Sequence, residues 1–362
     1  MTGDSRAPCI KSSRVQRLAT KKRTLASPLP ENEDDRHEHV PLQVRCHAES
    51  LRFEKLPTDL VTLMAPTKVS VVIPCHNRHD LLNRALASVR AQRGQGTDFT
   101  LEVIIVDDAS NPPLRPTLNA ADRCIRLDAN GGAAHARNVG CKAATGDVIA
   151  FLDSDDQWLE TKIARQLEVL RQHRRRTDDV SPVVVCSGYR TRRRSGLAFQ
   201  EVIPNSVDSL VGFVSGCRFC PGSTALLPRD VFEDIGPFDE KLLRLEDYDW
   251  YIRLALHGGR VLIAPEALAN IEPNGFVDLV KVTSSACRLR QKYGTQLTDM
   301  HVNRPFLSYL DLVCAEAKLV NGQRLASAID LSKSLLRYPR ARLQLLADAP
   351  PVASRASDEG AA

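Results

Sequence analysis

Five consecutive apolar residues, Val148-Ile149-Ala150-Phe151-Leu152, run directly into Asp153-Ser154-Asp155-Asp156. A run without polar alternation suits a strand covered on both faces, the situation in a sheet with helices packed on either side. The same construction occurs earlier, at Val69-Ser70-Val71-Val72-Ile73 and at Leu101-Glu102-Val103-Ile104-Ile105-Val106, the latter ending in Asp107-Asp108-Ala109-Ser110. Ligands of α/β proteins gather at the carboxyl ends of such strands. Carboxylates there suit Mg²⁺ or Mn²⁺, hard cations that prefer oxygen ligands and are commonly held by one or two carboxylates plus substrate phosphates. Taken alone, an Asp-x-Asp-Asp turn is also what stops a strand and caps the following helix.

The neighbouring segments supply the context. The first strand is expected to start at Lys68 and stop at Pro74, followed by the turn Cys75-His76-Asn77-Arg78 and a helix capped by Asp80, with Leu81, Leu82, Ala85, Leu86 and Val89 on one face. Ile125-Arg126-Leu127 reads as a short third strand, and residues 133–144 have the composition of a small-residue helix packed closely on a sheet. Further on, residues 159–172 predict a helix and Val183-Val184-Val185-Cys186 a strand. Thr224-Ala225-Leu226-Leu227 is another apolar run, residues 246–257 form a helix closed by Gly258-Gly259, and Val261-Leu262-Ile263 is the last core strand. This rhythm predicts an α/β fold with a mixed, mainly parallel sheet flanked by helices. Beyond Val277 the pattern turns helical, with Leu307, Leu310, Val313, Ala317 and Val320 marking a C-terminal extension. The expected organisation is a disordered or loosely attached extension over 1–65, a core domain over 66–275, a helical subdomain over 276–350 and a frayed tail over 351–362.

Composition narrows the function. The chain has 362 residues, 43% of them hydrophobic, so it can bury a sizeable core. Its formal charge of +5 is concentrated in Lys21-Lys22-Arg23, Arg174-Arg175-Arg176 and Arg192-Arg193-Arg194. No aromatic platform interleaves these clusters and aromatics are only 5% of the chain, so they read as solvated faces, with contact to an anionic membrane as the lesser reading and no nucleic-acid partner expected. Ten cysteines follow no framework spacing, which fits reduced thiols, and the close pair in Cys217-Arg218-Phe219-Cys220 lacks a second pair at zinc spacing. With no apolar leader and no run of about eighteen apolar residues, the expectation is a cytoplasmic protein with no transmembrane segment, at most peripheral at the inner membrane face.

In order, Val71-Val72-Ile73-Pro74-Cys75-His76-Asn77-Arg78, Ile105-Val106-Asp107-Asp108-Ala109-Ser110, Gly132-Ala133-Ala134-His135-Ala136-Arg137-Asn138-Val139-Gly140, Phe151-Leu152-Asp153-Ser154-Asp155-Asp156 and Leu245-Glu246-Asp247-Tyr248-Asp249-Trp250 resemble the motifs of a family 2 glycosyltransferase with the GT-A fold. The resemblance covers residues 68–267. It implies a nucleotide-sugar donor, UDP-linked, and an acceptor hydroxyl on a glycan, a lipid-linked intermediate or a small molecule. Pro74, His76, Asn77, Asp107 and Asp108 would line the nucleoside pocket, Asp108 accepting from a pyrimidine imide N–H. Arg137 would help hold the donor and Asp153 would reach the ribose region. Asp155 would carry Mn²⁺ or Mg²⁺ to the diphosphate, with Asp156 ligating or orienting it.

The reaction also needs a base for the incoming hydroxyl. Asp247 is the candidate, with Glu246 binding acceptor or orienting it, because adjacent acids at a helix start are tolerated by the dipole and can face a cleft. One displacement with one base predicts inversion. Gly222 and Ser223, with Trp250, would form part of the acceptor side. Turn capping through Ser110, a solvated helix arginine and a core tryptophan are the bland alternatives for Asp107 and Asp108, Arg137 and Trp250 respectively. One departure stands out. Where many relatives carry an aromatic-Arg-x-His element, this chain has Asn270-Ile271-Glu272-Pro273-Asn274. That leaves a non-catalytic sugar-nucleotide or partner-binding module as an alternative. A nucleotidyltransferase is a weaker one, since no Gly-rich phosphate loop follows the first strand.

Overall fold

The computed structural model describes residues 66–177, 179–192, 199–217, 222–272 and 277–339. The expected extension over 1–65, the tail over 351–362, and Arg218, Phe219, Cys220, Pro221, Pro273 and Asn274 lie outside these residues. Chain order begins with β1 (Thr67–Cys75), α1 (His79–Arg90), β2 (Phe99–Asp107), β3 (Arg123–Arg126), α2 (Gly132–Ala143) and β4 (Val148–Phe151). It continues with β5 (Gln157–Trp158), α3 (Lys162–Arg176), β6 (Val183–Arg192), β7 (Phe199–Val202), α4 (Leu210–Val214), β8 (Leu226–Pro228), α5 (Arg229–Ile235), α6 (Glu246–Leu256) and β9 (Arg260–Ile271). Three helices follow, α7 (Leu279–Asp299), α8 (Asn303–Val320) and α9 (Arg324–Arg337).

Among the described residues the strands form one nine-stranded sheet in the order β3-β2-β1-β4-β8-β6-β9-β5, with β7 added on β6. The β3-β2-β1-β4 half is wholly parallel. In the other half β8 runs antiparallel to both β4 and β6, and only β6 and β9 pair in parallel. After β1 the chain builds outward through β2 and β3, then returns to place β4 on the opposite edge of β1. That reversal opens a crevice at the carboxyl ends of β1 and β4, where α/β sheets bind ligands.

Both faces of the sheet are covered. Val69, Val71 and Ile73 of β1 pack with Leu82, Leu86 and Val89 of α1 and with Ile163 and Leu167 of α3. Val72 faces the other side, towards Ala136 of α2 and a cluster that includes Trp250 and Leu254 of α6. Alternate residues of one continuous apolar run thus serve two cores, which is why the run lacks polar alternation. Helix α2 lies so close to the sheet that a Cβ on Gly140 would collide with the Val72 side chain.

Several expected boundaries shift. Pro74 does not stop β1, which continues to Cys75 and keeps pairing with β2. Val72 turns its carbonyl towards the β4 side, accepting from the Leu152 N–H, so Pro74, two residues on, turns its missing N–H past the end of β4 and no ladder bond is lost. Asp80 is not the cap of α1 but an acid in its first turn; Arg78 holds the cap position without a side-chain bond. The last strand is far longer than Val261-Leu262-Ile263, running through Asn270 and Ile271, and Asn270 pairs with Gln157 of β5. The C-terminal helices do not stand apart: Leu289, Tyr293, Phe306 and Leu310 share a core with Tyr248 and Ile252 of α6.

Candidate active site

The crevice is framed by two loops and a helix start. The loop after β1 is exposed at His76, Asn77 and Arg78 and is stitched to the loop after β2. His76 Nδ1 lies 2.6 Å from the Asp108 carbonyl oxygen. The Asn77 N–H donates to Ser110 Oγ at 2.9 Å and Asn77 Oδ1 accepts from the Asn111 N–H at 2.7 Å. Asn77 and Ala109 both have left-handed backbones, with φ of 54° and 55°. Asn tolerates that region; Ala does so only at a cost that the surrounding bonds must hold.

The two acids after β2 are occupied with building these loops. Asp107 is 1% exposed and accepts from the Ser110 and Leu114 N–H groups and from Arg126 Nη1 at 2.6 Å. These bonds hold its carboxyl below the usual range even though burial pushes the other way. Asp108 is 4% exposed, and its two oxygens accept from the Gly131 and Gly132 N–H groups at 2.7 and 2.9 Å, the start of α2. The pair therefore shapes the pocket wall, and neither carboxylate stands free in the crevice.

At the end of β4 the acidic turn divides its labour. The Asp156 Oδ2 accepts from Ser223 Oγ at 2.5 Å and Oδ1 from the Glu272 N–H at 2.9 Å, while Ser223 Oγ accepts from the Asp153 N–H at 2.9 Å. Burial, reinforced by the charge of Asp153, pushes the Asp156 carboxyl well up. Asp156 thus ties the turn to the end of β9: of the altered segment, Asn270 and Ile271 extend the sheet and the Glu272 N–H docks on Asp156. Ser223, expected on the acceptor side, is completely buried and serves as the same clasp. Asp155 points elsewhere. Its Oδ2 pairs with Arg78 Nη1 at 2.7 Å across the crevice. Burial, with Asp153 and Glu272 adding to it, raises its carboxyl against the opposing pull of Arg78.

Arg137 is the centre of the site. It is 4% exposed, projecting from a helix whose neighbours are small. Nη2 contacts Asp153 Oδ1 at 2.8 Å; Nη1 contacts Glu246 Oε1 at 2.9 Å and Asp247 Oδ1 at 3.4 Å. Burial opposes its charge, but the three carboxylates hold it firmly protonated. Asp247 is raised to about 7, chiefly by burial and further by Glu246 and Asp153, with Arg137 pulling down. Although 29% of its side chain reaches the surface, its carboxyl sits among other acids. Leu245, just before the pair, has a left-handed φ of 64°, which turns the chain into α6. A bulky residue there is strained, and such strain clusters at functional sites.

Behind the acid pair lies a small cavity lined by Phe151, Leu227, Phe238, Trp250 and Tyr251, with Arg137, Gly222 and Asp247 at its polar end. A Cβ on Gly222 would lie 3.2 Å from Arg137 Nη2 and 3.7 Å from Asp247 Oδ2, so Gly222 borders the acids. Trp250 is 3% exposed, donates Nε1 to the Gly236 carbonyl at 2.9 Å and forms the aromatic floor.

The structure therefore brings Asp153, Glu246, Asp247, Gly222 and Arg137 together, and sets Asp155 on the β1 side beside Arg78. Sequence reasoning did not assign Arg78, although a cation in the turn after the first strand, facing a strand-end acid, was a usable signal. Leu245 and the Ser223–Asp156 clasp gave none. Among the described residues no three His, Cys, Asp or Glu side chains converge as a metal cage. Asp155 alone at the crevice edge fits a cation that arrives with a diphosphate, since Mg²⁺ needs only one or two protein carboxylates there.

The profile of glycosyl transferase family 2 matches residues 70–236. The amylovoran biosynthesis glycosyltransferase AmsB of Erwinia amylovora is 30% identical over 225 residues, covering 57% of this chain and 70% of that protein. An uncharacterised glycosyltransferase of Nostoc is 28% identical over 249 residues, covering 65% of this chain and 74% of that one. The chain spans only 31% to 57% of the length of the Rickettsia glycosyltransferases that it matches. Among solved structures, S. aureus TarS 1-349 in complex with UDP-GlcNAc superposes with a TM-score of 0.46 at 18% identity, covering 76% of this chain and 92% of that one. The chain belongs to glycosyl transferase family 2, and it is a glycosyltransferase.

Proposed function

We propose that the protein moves a single sugar from a nucleotide-sugar donor, UDP-linked as its family resemblance implies, to a hydroxyl of a glycan, lipid-linked or small-molecule acceptor, with inversion. The observation that carries this reading is the buried Arg137, which joins Asp153 at the crevice to Glu246 and Asp247 at the start of α6. This network supports Asp247 as the base, beside the strand ends where a GT-A donor would lie. The acceptor hydroxyl attacks the anomeric carbon and gives its proton to Asp247; the bond to the diphosphate oxygen breaks, and the nucleoside diphosphate leaves. A base held near 7 suits this task at neutral pH, because it is both ionised and able to keep the proton it takes.

The other residues have supporting roles. Asp155 would hold Mn²⁺ or Mg²⁺, which supplies countercharge to the leaving diphosphate when bound. Arg78 must release Asp155 for that and is then free to donate to a phosphate oxygen. Asp107 and Asp108 keep the β2 loop in the shape against which the base would stack, beside Pro74, His76 and Asn77. Asp156 and Ser223 orient the acidic turn. Gly222 borders the acids on the side proposed for the acceptor, whereas Trp250, expected there, is buried in the core behind them. A cytoplasmic site of action goes with this reading: among the described residues the cysteines are free thiols, and no helix is long and apolar enough to cross a membrane.

The test is transfer or donor hydrolysis with UDP-sugars and Mn²⁺, with released nucleotide identified. Loss of turnover in both Asp155→Ala and Asp247→Asn, each with wild-type unfolding temperature, is the expected result. Loss of Mn²⁺ binding in Asp155→Ala alone, read by paramagnetic relaxation of water, separates the two roles. Wild-type turnover in Asp247→Asn would remove it as base, and pyrophosphate among the products would overturn sugar transfer.

A further inference from the structure

Helix α9 turns part of its apolar surface outward, while Leu331 and Leu335 are half-buried. The residues it buries against α8 are Ser327, Asp330 and Ser334. That interface is polar: Ser334 Oγ donates to the Ser308 carbonyl at 2.6 Å, Ser327 Oγ to the Ala315 carbonyl at 2.7 Å, and Lys318 Nζ to Asp330 Oδ2 at 2.6 Å. Meanwhile Leu325 and Leu336 are each 78% exposed and Ile329 is 50% exposed. Leu325, Ile329 and Leu336, with Ser332 among them, recur at spacings of four, three and four, which an α-helix gathers on a stripe roughly 60° wide. Single exposed leucines are ordinary, but a stripe of them on a helix that buries serines is not. Val280, at the start of α7, is 75% exposed, and the adjoining end of α8 is tied to that region through Asn321 Nδ2 and the Val277 carbonyl.

The charges beside the stripe are of one sign. Arg324 is exposed on one flank; Lys333 and Arg337 lie on the other, paired with Asp330 at 3.1 Å and Asp311 at 3.2 Å but with 51% and 37% of their side chains exposed. The only acid on α9 is Asp330, which is buried and paired with Lys318 and Lys333. The sequence continues with Arg340 and Arg342. We propose that α9 is an interfacial helix that docks on an anionic lipid bilayer, inserting Leu325, Ile329 and Leu336 among the acyl chains while Arg324, Lys333 and Arg337 meet the headgroups. An apolar stripe flanked by cations is the pattern of helices that lie in a membrane surface. A second copy fits less well. Two such faces would oppose like charges, and the few hundred Å² a patch of this kind offers falls short of the roughly 1,200 Å² of a specific interface.

The proposal does not depend on the catalytic reading. Full-length protein should co-sediment with vesicles of phosphatidylcholine and phosphatidylglycerol, and far less with phosphatidylcholine alone. Binding should fall several-fold as salt rises, since the headgroup attraction is screened. The combined Leu325→Gln, Ile329→Gln and Leu336→Gln variant, whose altered positions are exposed and so leave the fold intact, should bind at least tenfold less. Arg324→Glu should weaken binding by about fivefold or more. Donor hydrolysis in solution should be unchanged in all of them, so a failure here is distinct from a failure of the transferase assignment. Equal binding to neutral vesicles, wild-type binding by the triple variant, or self-association that the triple variant abolishes would each overturn the proposal.

Discussion

Replacing Arg137 with Met keeps a side chain of similar length but removes the only cation shared by three carboxylates. The Arg137 side chain is 5% exposed, whereas those of Asp153, Glu246 and Asp247 are 34%, 13% and 29% exposed. Breaking a fully buried ion pair costs about 3 to 5 kcal/mol, and the partial exposure of the partners screens the remaining repulsion, leaving an expected loss of about 2 to 3 kcal/mol. For a domain of this size that lowers the unfolding temperature by about 4 to 6 °C. The loss should also depend on pH with a defined sign. Asp247 is already held at about 7, above its unfolded value, and rises further without the guanidinium. The deficit of the variant is then fully present above its own folded value and shrinks as pH falls towards the wild-type value of about 7. Thermal unfolding of wild type and Arg137→Met at about pH 8 and about pH 5 reads this directly. A loss below about 0.5 kcal/mol, within the range of an ordinary surface substitution, would refute the account of Arg137 as an electrostatic hub. So would a loss of equal size at both pH values.

Three further outcomes follow from the same geometry. Because Asp247 is raised to about 7 and acts ionised, transfer should climb with pH through about 7 and level off above it; a plateau already reached in the usual carboxylate range would remove Asp247 as the group controlling rate. Ser223→Ala strands Asp156 Oδ2 and the Asp153 N–H, so denaturant unfolding should show a loss of about 1 to 3 kcal/mol, with unchanged stability counting against the clasp. Gly140→Ala should destabilise through collision with Val72, since overpacking costs about 1 to 3 kcal/mol and outweighs the roughly 1 kcal/mol that Ala gains over Gly in a helix. A more stable variant would mean that α2 can stand off from the sheet.

The parallel half of the sheet was readable because its cause is local. Val69, Val71 and Val72 announce a doubly covered strand within five positions, and the small residues of α2 announce close packing. In the other half the apolar runs of β6, β8 and β9 were legible but not their order and directions, because β8 finds its place through pairing with β4 and β6, segments far away in the chain. β9 was foreseen only at Val261-Leu262-Ile263, since its continuation mixes exposed and buried positions and is fixed by β5 and β6. The acids divide in the same way. Their positions at strand ends and helix starts are sequence features; which of them faces the crevice and which clasps a loop depends on partners such as Ser223, Gly131 and Arg126.

Helix α6 has consequences beyond the two acids at its start. Trp250, Tyr251 and Leu254 anchor one side of it in the sheet core, while Tyr248 stacks on Phe306 and meets Tyr309 at a tilt in the helical core behind. Asp249, with no exposed surface, bolts the helix to α7 through Lys292 at 2.6 Å and Tyr293 at 2.8 Å. The acids are thus carried on a beam held at both sides, one resting on the sheet and the other on the C-terminal helices. Repacking the rear mounting, for example at Phe306 or Tyr309, would tilt the beam and re-aim Glu246 and Asp247 while the β1–β4 crevice stays as it is. With the roles proposed above for these acids, acceptor choice can drift from the back of the molecule, independently of the donor.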